Sequence, residues 1–144
     1  MKVIVCGANG AMGKLICGIF GDEVVGKVSI DGENNVPKTF AQLGEVAADV
    51  IVDFSHHTAV ADVLAYAKQI RCAVVIGTTG HTEEEKALIY EAAKEIPVFF
   101  SGNVSLGMKI FLMLHLILVG IKSLVGYFLL LIAKGYLLKR TNII

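Results

Sequence analysis

The run from Lys2 to Gly13 constrains this chain more than any other. A β-branched segment, Lys-Val-Ile-Val-Cys, breaks at Gly7 into Gly-Ala-Asn-Gly-Ala-Met-Gly, and apolar residues then recur at Leu15, Ile16, Ile19 and Phe20. Strand, glycine turn and apolar helical stripe in that order predict a buried parallel strand feeding a helix that starts at the turn. Glycines let a backbone approach a pyrophosphate closely, and the helix N-terminus adds free N–H groups and a favourable dipole. The spacing is GxxGxxG rather than the commoner GxGxxG, so a purely structural turn is the competing reading of these residues alone.

The same alternation continues downstream. Residues 24–30 read as a second strand ending at Asp31, 24 residues after Gly7, where an acid can accept hydrogen bonds from an adenosine ribose; the alternative is that Asp31-Gly32 is simply a turn. Residues 48–54 form a third strand, and residues 58–69 carry Ala59, Val60, Val63, Leu64 and Ala67 on one helical face. Residues 73–76 lead as a strand into Gly77-Thr78-Thr79-Gly80, Thr82 and Glu85 have capping-box spacing for a helix reaching about Glu95, and residues 97–100 are a further strand. This order predicts an α/β fold, a Rossmann-like doubly wound parallel sheet. Ligands of such sheets sit beyond the carboxyl ends of the strands. Here those ends are residues 7–13, Asp31, Phe54-Ser55, residues 77–80 and residues 101–104, which are dominated by small and hydroxylic side chains.

Charge and composition exclude other classes. Lys plus Arg and Asp plus Glu are 13 each, so the basic footprint of a nucleic-acid binder is missing. With 55% hydrophobic residues and 2 prolines, the chain is not of disordered composition. Cys6, Cys17 and Cys72 are odd in number and lack CxxC spacing, so reduced thiols rather than disulfides or a metal site are expected; with no early apolar signal segment, the expected location is cytoplasmic. The charge is divided along the chain: residues 1–95 hold 8 basic and 13 acidic residues (8 − 13 = −5), whereas residues 96–144 hold 5 basic and no acidic ones. Residues 110–133 contain a single charge, Lys122.

Four ordered motifs, GANGAMG at 7–13, VDFSHHT at 52–58, VVIGTTG at 74–80 and FSGNVSLG at 100–107, resemble the amino-terminal half of the 4-hydroxy-tetrahydrodipicolinate reductase family, over about residues 1–109. The resemblance implies reduction of a cyclic substrate with NADH or NADPH in lysine and diaminopimelate biosynthesis. It implies that Gly7, Ala8, Asn9, Gly10, Ala11 and Met12 hold the pyrophosphate. It likewise places Gly77, Thr78 and Thr79 near the nicotinamide and has Ser101, Gly102, Asn103 and Val104 line the cofactor. Asp31 fits the acidic ribose position. No Arg or Lys directly follows it, so repulsion of a 2′-phosphate is locally uncompensated and NADH is favoured over NADPH. Adjacent His56 and His57 on an extended segment would point to opposite sides, which suits a solvated or helix-entry role rather than a chelate. His115, in an apolar stretch, is read as structural.

The family continues into a signature, HHxxKxDAPSGT, that supplies the proton donor and the substrate-carboxylate cradle. After Tyr127 this chain instead reads FLLLIAKGYLLKRTNII, and Lys109 stands where the family commonly has Asn. A general acid is commonly worth ~100- to 10,000-fold in rate. No catalytic residue and no metal ligand are assigned, and Lys134, Lys139 and Arg140 are read as solvated tail charges. The expected organisation is a dinucleotide-binding domain over 1–104 and an apolar helix/strand tail over 105–144. That tail is taken as the remnant of a link to a missing substrate domain, whether native, frameshifted or redesigned. The alternatives are a catalytically inactive dinucleotide-binding module and a membrane-associated truncated product. A bilayer needs ~20 apolar residues, which 110–133 supplies, although Lys122 near its centre would cost roughly 2.5–3.5 kcal/mol. An apolar strand at 128–132 with no sheet to join predicts self-association.

Overall fold

A computed structural model describes residues 1–101 of the chain. Five strands, β1 (Val3–Cys6), β2 (Val24–Val28), β3 (Val50–Asp53), β4 (Ala73–Ile76) and β5 (Val98–Phe100), form one parallel sheet in the order β2-β1-β3-β4-β5. The chain moves from β1 outward to β2 and then back past β1 to β3, so the order reverses between β1 and β3. That is the switch point at which parallel sheets open a crevice beyond their carboxyl ends. The register aligns those ends: Cys6 pairs with Asp53, Asp53 with Ile76, and Ile76 with Phe100.

The β-branched runs account for the burial. Val3, Ile4, Val5, Ile51, Val52 and Ile76 are fully buried, as parallel strands covered on both faces require. Ile4, Cys6, Ile51, Val74 and Ile76 form one core with α3 (Val60–Ile70) and α4 (Glu83–Ala92). Val3, Val5 and Val52 alternate to the opposite face, on which α1 (Ala11–Phe20) buries Gly13, Ile16 and Phe20. The predicted stripe on α1 is narrower than its sequence spacing suggests, because Leu15 and Ile19 remain substantially exposed.

The link between β2 and β3 is more structured than expected. It holds a 3-10 turn at Glu33–Asn35 and a short helix, α2 (Phe40–Leu43), capped by Thr39. Phe40 stacks on Tyr66 of α3 with ring centroids 4.6 Å apart. The Tyr66 hydroxyl donates to Gly44 O at 2.7 Å and accepts from Val46 N–H at 3.0 Å. One aromatic pair and one phenol thus fix a segment whose own sequence carries no long period. Strand β2 ends at Val28 rather than Ile30, because Ser29 N–H turns to Pro37 O at 2.9 Å.

Candidate cofactor site

The predicted glycine loop does form the turn between β1 and α1. Gly7 has φ +81°, and a Cβ there would lie 2.4 Å from Phe54 O, so the position excludes any side chain twice over. The N–H groups of Gly7 and Ala8 both donate to Val28 O, at 2.8 and 3.1 Å, which ties the loop to the end of β2. Gly13 lies against the loop it follows: a Cβ there would be 2.0 Å from Gly7 O. Gly10 occupies the N-cap of α1 without a side-chain cap, and no acid occupies the first turn. Ala11 and Met12 therefore begin a helix whose N-terminal dipole is not answered by the helix's own side chains.

Asn9 joins the loop to the predicted ribose position. Its Nδ2 donates to Asp31 Oδ1 at 2.6 Å and to Glu33 O at 3.0 Å, and Glu33 N–H also reaches Asp31 Oδ1 at 3.0 Å. The Asn9 amide first, and the Glu33 N–H second, hold the Asp31 carboxyl below the usual carboxylate range. No Arg or Lys directly follows Asp31 in sequence, and the cation that helps lower its carboxyl among the described residues is Lys14 of α1. The Ser29–Pro37 hydrogen bond folds the chain back so that Lys38 packs on Gly32, where an added Cβ would lie 2.4 Å from Lys38 Cε. Lys38 is exposed and forms no ion pair among the described residues.

At the ends of β3 and β4, Gly77 packs under Phe54, whose ring would be 2.3 Å from a Gly77 Cβ. Thr78 is buried and Thr79 exposed. Thr78 Oγ1 donates to Asp53 Oδ2 at 3.1 Å and accepts from Ser55 N–H at 3.1 Å. Ser101 is buried, and its N–H reaches Ile76 O at 3.2 Å, continuing β5 beside β4. Gly102, Asn103 and Val104 lie outside the described residues, as do His115, Lys109, Lys134, Lys139, Arg140 and the apolar stretch 110–133. No described helix is long and apolar enough to cross a membrane.

His56 and His57 do not splay as an extended pair would. A 3-10 turn over His57–Ala59 brings the two rings to 4.3 Å between centroids. The helix-entry role holds for His56, whose ring caps this turn through Thr58 N–H, whereas His57 Nδ1 lies 2.9 Å from both oxygens of Glu85. No metal-binding group of three or more His, Cys, Asp or Glu occurs among the described residues. The three cysteines are free thiols, with Cys6 pushed up to about 12 by burial and Cys72 to about 11 for the same reason. Two buried polar groups were not singled out from sequence. Asp53 was hidden inside an apolar strand motif, and His81, directly after the Gly77–Gly80 loop, is buried with neither ring nitrogen hydrogen-bonded among the described residues. Burial holds His81 below the ordinary imidazole value.

Sheet order, loop contacts and aligned carboxyl ends define a Rossmann-like α/β domain. The family described as Dihydrodipicolinate reductase, N-terminus, matches residues 1–104, and the chain belongs to that family. It is 36% identical to the 4-hydroxy-tetrahydrodipicolinate reductase of Caldanaerobacter subterraneus subsp. tengcongensis, over 97% of this chain and 57% of the relative. It is 38% identical to that of Methanocorpusculum labreanum over 77% of this chain and 49% of the relative, and 36% identical to that of Akkermansia muciniphila over 76% and 43%. The chain thus spans about half the length of the curated relatives it matches. The Caldanaerobacter match leaves only 3% of 144 residues, about four, uncovered, so this similarity continues past the stretch 1–109 and through most of the apolar tail.

Proposed function

We propose that this chain is the cofactor-binding part of a 4-hydroxy-tetrahydrodipicolinate reductase using a nicotinamide dinucleotide, NADH or NADPH, in lysine and diaminopimelate biosynthesis. The observation that carries the reading is the cradle at the switch point: a Cβ at Gly7 or Gly13 would meet backbone at 2.4 or 2.0 Å, so both positions are kept free of side chains beside an uncapped helix start. That cradle fits a pyrophosphate, which needs close backbone approach and free N–H groups. Gly7, Ala8, Asn9, Gly10, Ala11 and Met12 would hold it, with Asp31 at the ribose. Gly77, Thr78, Thr79 and the segment 101–104 would flank the nicotinamide. The cofactor, when bound, supplies the hydride.

Within that reading, Asp31 favours a free ribose 2′-hydroxyl and hence NADH. Lys38 on Gly32 supplies a nearby positive charge that supports tolerance of NADPH. Lys134-Gly135-Tyr136, standing where the resemblance leads one to expect a histidine pair, favours a second reading, a dinucleotide-binding module without turnover. Calorimetric titration of the full chain with NADH tests what the two readings share, and turnover of the cyclic substrate separates them. Saturable NADH binding that is lost in Gly13→Val is the expected result. A chain that folds normally yet binds neither NADH nor NADPH would overturn the assignment.

A further inference from the structure

Asp53 is fully buried at the carboxyl end of β3, and none of the ion pairs among the described residues includes it. What surrounds it is a set of donors. Oδ1 accepts the Ser55 N–H at 3.1 Å and the Ser55 hydroxyl, and Oδ2 accepts the Thr78 hydroxyl at 3.1 Å. An ionised carboxylate is acceptor-only, with about four lone-pair sites. Three donors aimed at those sites favour the ionised form. A protonated Asp53 would be a weaker acceptor, so the charge-assisted bonds from Ser55 and Thr78 would loosen. Ser55 and Thr78 are also bonded to each other across the crevice, through Ser55 N–H and Thr78 Oγ1 at 3.1 Å. The carboxylate is therefore the common anchor of the turn after β3 and the loop after β4.

We propose that Asp53 is a positioning residue for the nicotinamide end of the cofactor site, its ionised carboxylate holding Ser55 and the Gly77–Thr79 loop in their binding arrangement. The inference rests on the dinucleotide reading above. Burial opposes that ionisation more strongly than the surrounding donors favour it, so the Asp53 carboxyl is raised above its ordinary value. The sign follows. A raised folded-state value means that the folded chain takes up a proton before the unfolded chain does. Acidification through that value therefore removes a destabilising contribution while weakening cofactor binding. A residue with a merely structural role would move stability and affinity together, whereas Asp53 moves them in opposite directions. Among the described residues, Cys6 and His81 are the other titratable groups that face it. Cys6 on β1, pushed up to about 12, stays a thiol throughout, and His81 gains charge only on the acid side, where its cation would favour ionised Asp53 and oppose the effect.

The test is calorimetric titration of the full chain with NAD+ and, separately, with ADP-ribose, which lacks the nicotinamide, from about pH 8 to about pH 5. The expected result is NAD+ affinity falling roughly tenfold toward acid while ADP-ribose affinity changes little. Asp53→Asn should bind NAD+ roughly tenfold more weakly at neutral pH with a flat profile, and its Tm deficit or surplus relative to wild type should shift in favour of wild type as the pH falls. Thr78→Val, which keeps the carboxylate and removes the hydroxyl, should flatten the NAD+ profile in the same way should Asp53→Asn fail to fold. A flat wild-type profile, or the same slope in wild type and variant, overturns the proposal while leaving the cofactor reading intact. Absence of binding by both NAD+ and ADP-ribose at every pH overturns the two together.

Discussion

Gly13 shows how little freedom a single position has where α1 begins. An added methyl would meet Gly7 O at 2.0 Å, and that oxygen also accepts the Gly10 N–H at 3.0 Å, so it cannot swing aside without opening the loop. Gly13→Ala should therefore destabilise the fold by about 1–3 kcal/mol, the range for forcing extra atoms into packed structure, and should weaken dinucleotide binding. Urea unfolding and NADH titration check the two effects, and an unchanged midpoint would remove the packing role. Lys38 carries a different kind of prediction. Exposed charge pairs are worth ~0.2–1 kcal/mol, so Lys38→Ala should raise the NADPH-to-NADH ratio of Kd values by roughly two- to fivefold while leaving NADH binding nearly unchanged. The change should fade at high salt. A ratio insensitive to the substitution would show that Asp31 alone sets the preference.

Among the elements, α4 depends most visibly on its first turn. Thr82 Oγ1 accepts Glu85 N–H at 3.2 Å and Glu85 Oε2 accepts Thr82 N–H at 2.8 Å, the reciprocal capping box foreseen from the Thr82–Glu85 spacing. Thr82→Ala should cost about 0.5–2 kcal/mol in urea unfolding. Because Glu85 also holds His57, the cap reaches across to the turn before α3, and a loss below the detection of such an experiment would mean His57 alone fixes Glu85. The capping box and the five strands were legible because each is written locally, in a fixed spacing or an unbroken β-branched run. The segment between β2 and β3 was not. Its order comes from Phe40 and Tyr66, 26 positions apart, and from Ser29 meeting Pro37, contacts without a periodic signature. The site divides in the same way. Glycines at 7, 10 and 13 and the acid at 31 announce themselves by type and spacing, whereas Asp53 reads as the polar end of an apolar strand until the donors from Ser55 and Thr78 are placed on it. The His56–His57 geometry failed for a related reason, since a 3-10 turn replaced the extended backbone that alternation assumes.

At the scale of the whole molecule, the two compositional halves set the behaviour expected in solution. Residues 1–95 carry a net −5, residues 96–144 carry +5 with no acid, and residues 110–133 hold one charge in 24 positions. A monomeric protein rarely exposes more than a few hundred Å² of contiguous apolar surface, and a stretch of that composition exceeds this unless something covers it. A stretch of that composition favours apolar association between copies of the chain. The full chain should therefore sediment heavier than its 15.4 kDa mass in the absence of detergent and return toward monomer when mild detergent is added. Opposite net charges in the two halves predict that part of this association weakens as salt rises, while the apolar part persists or strengthens. A single monomeric boundary without detergent, at low and high salt alike, would mean that the chain covers its own apolar stretch.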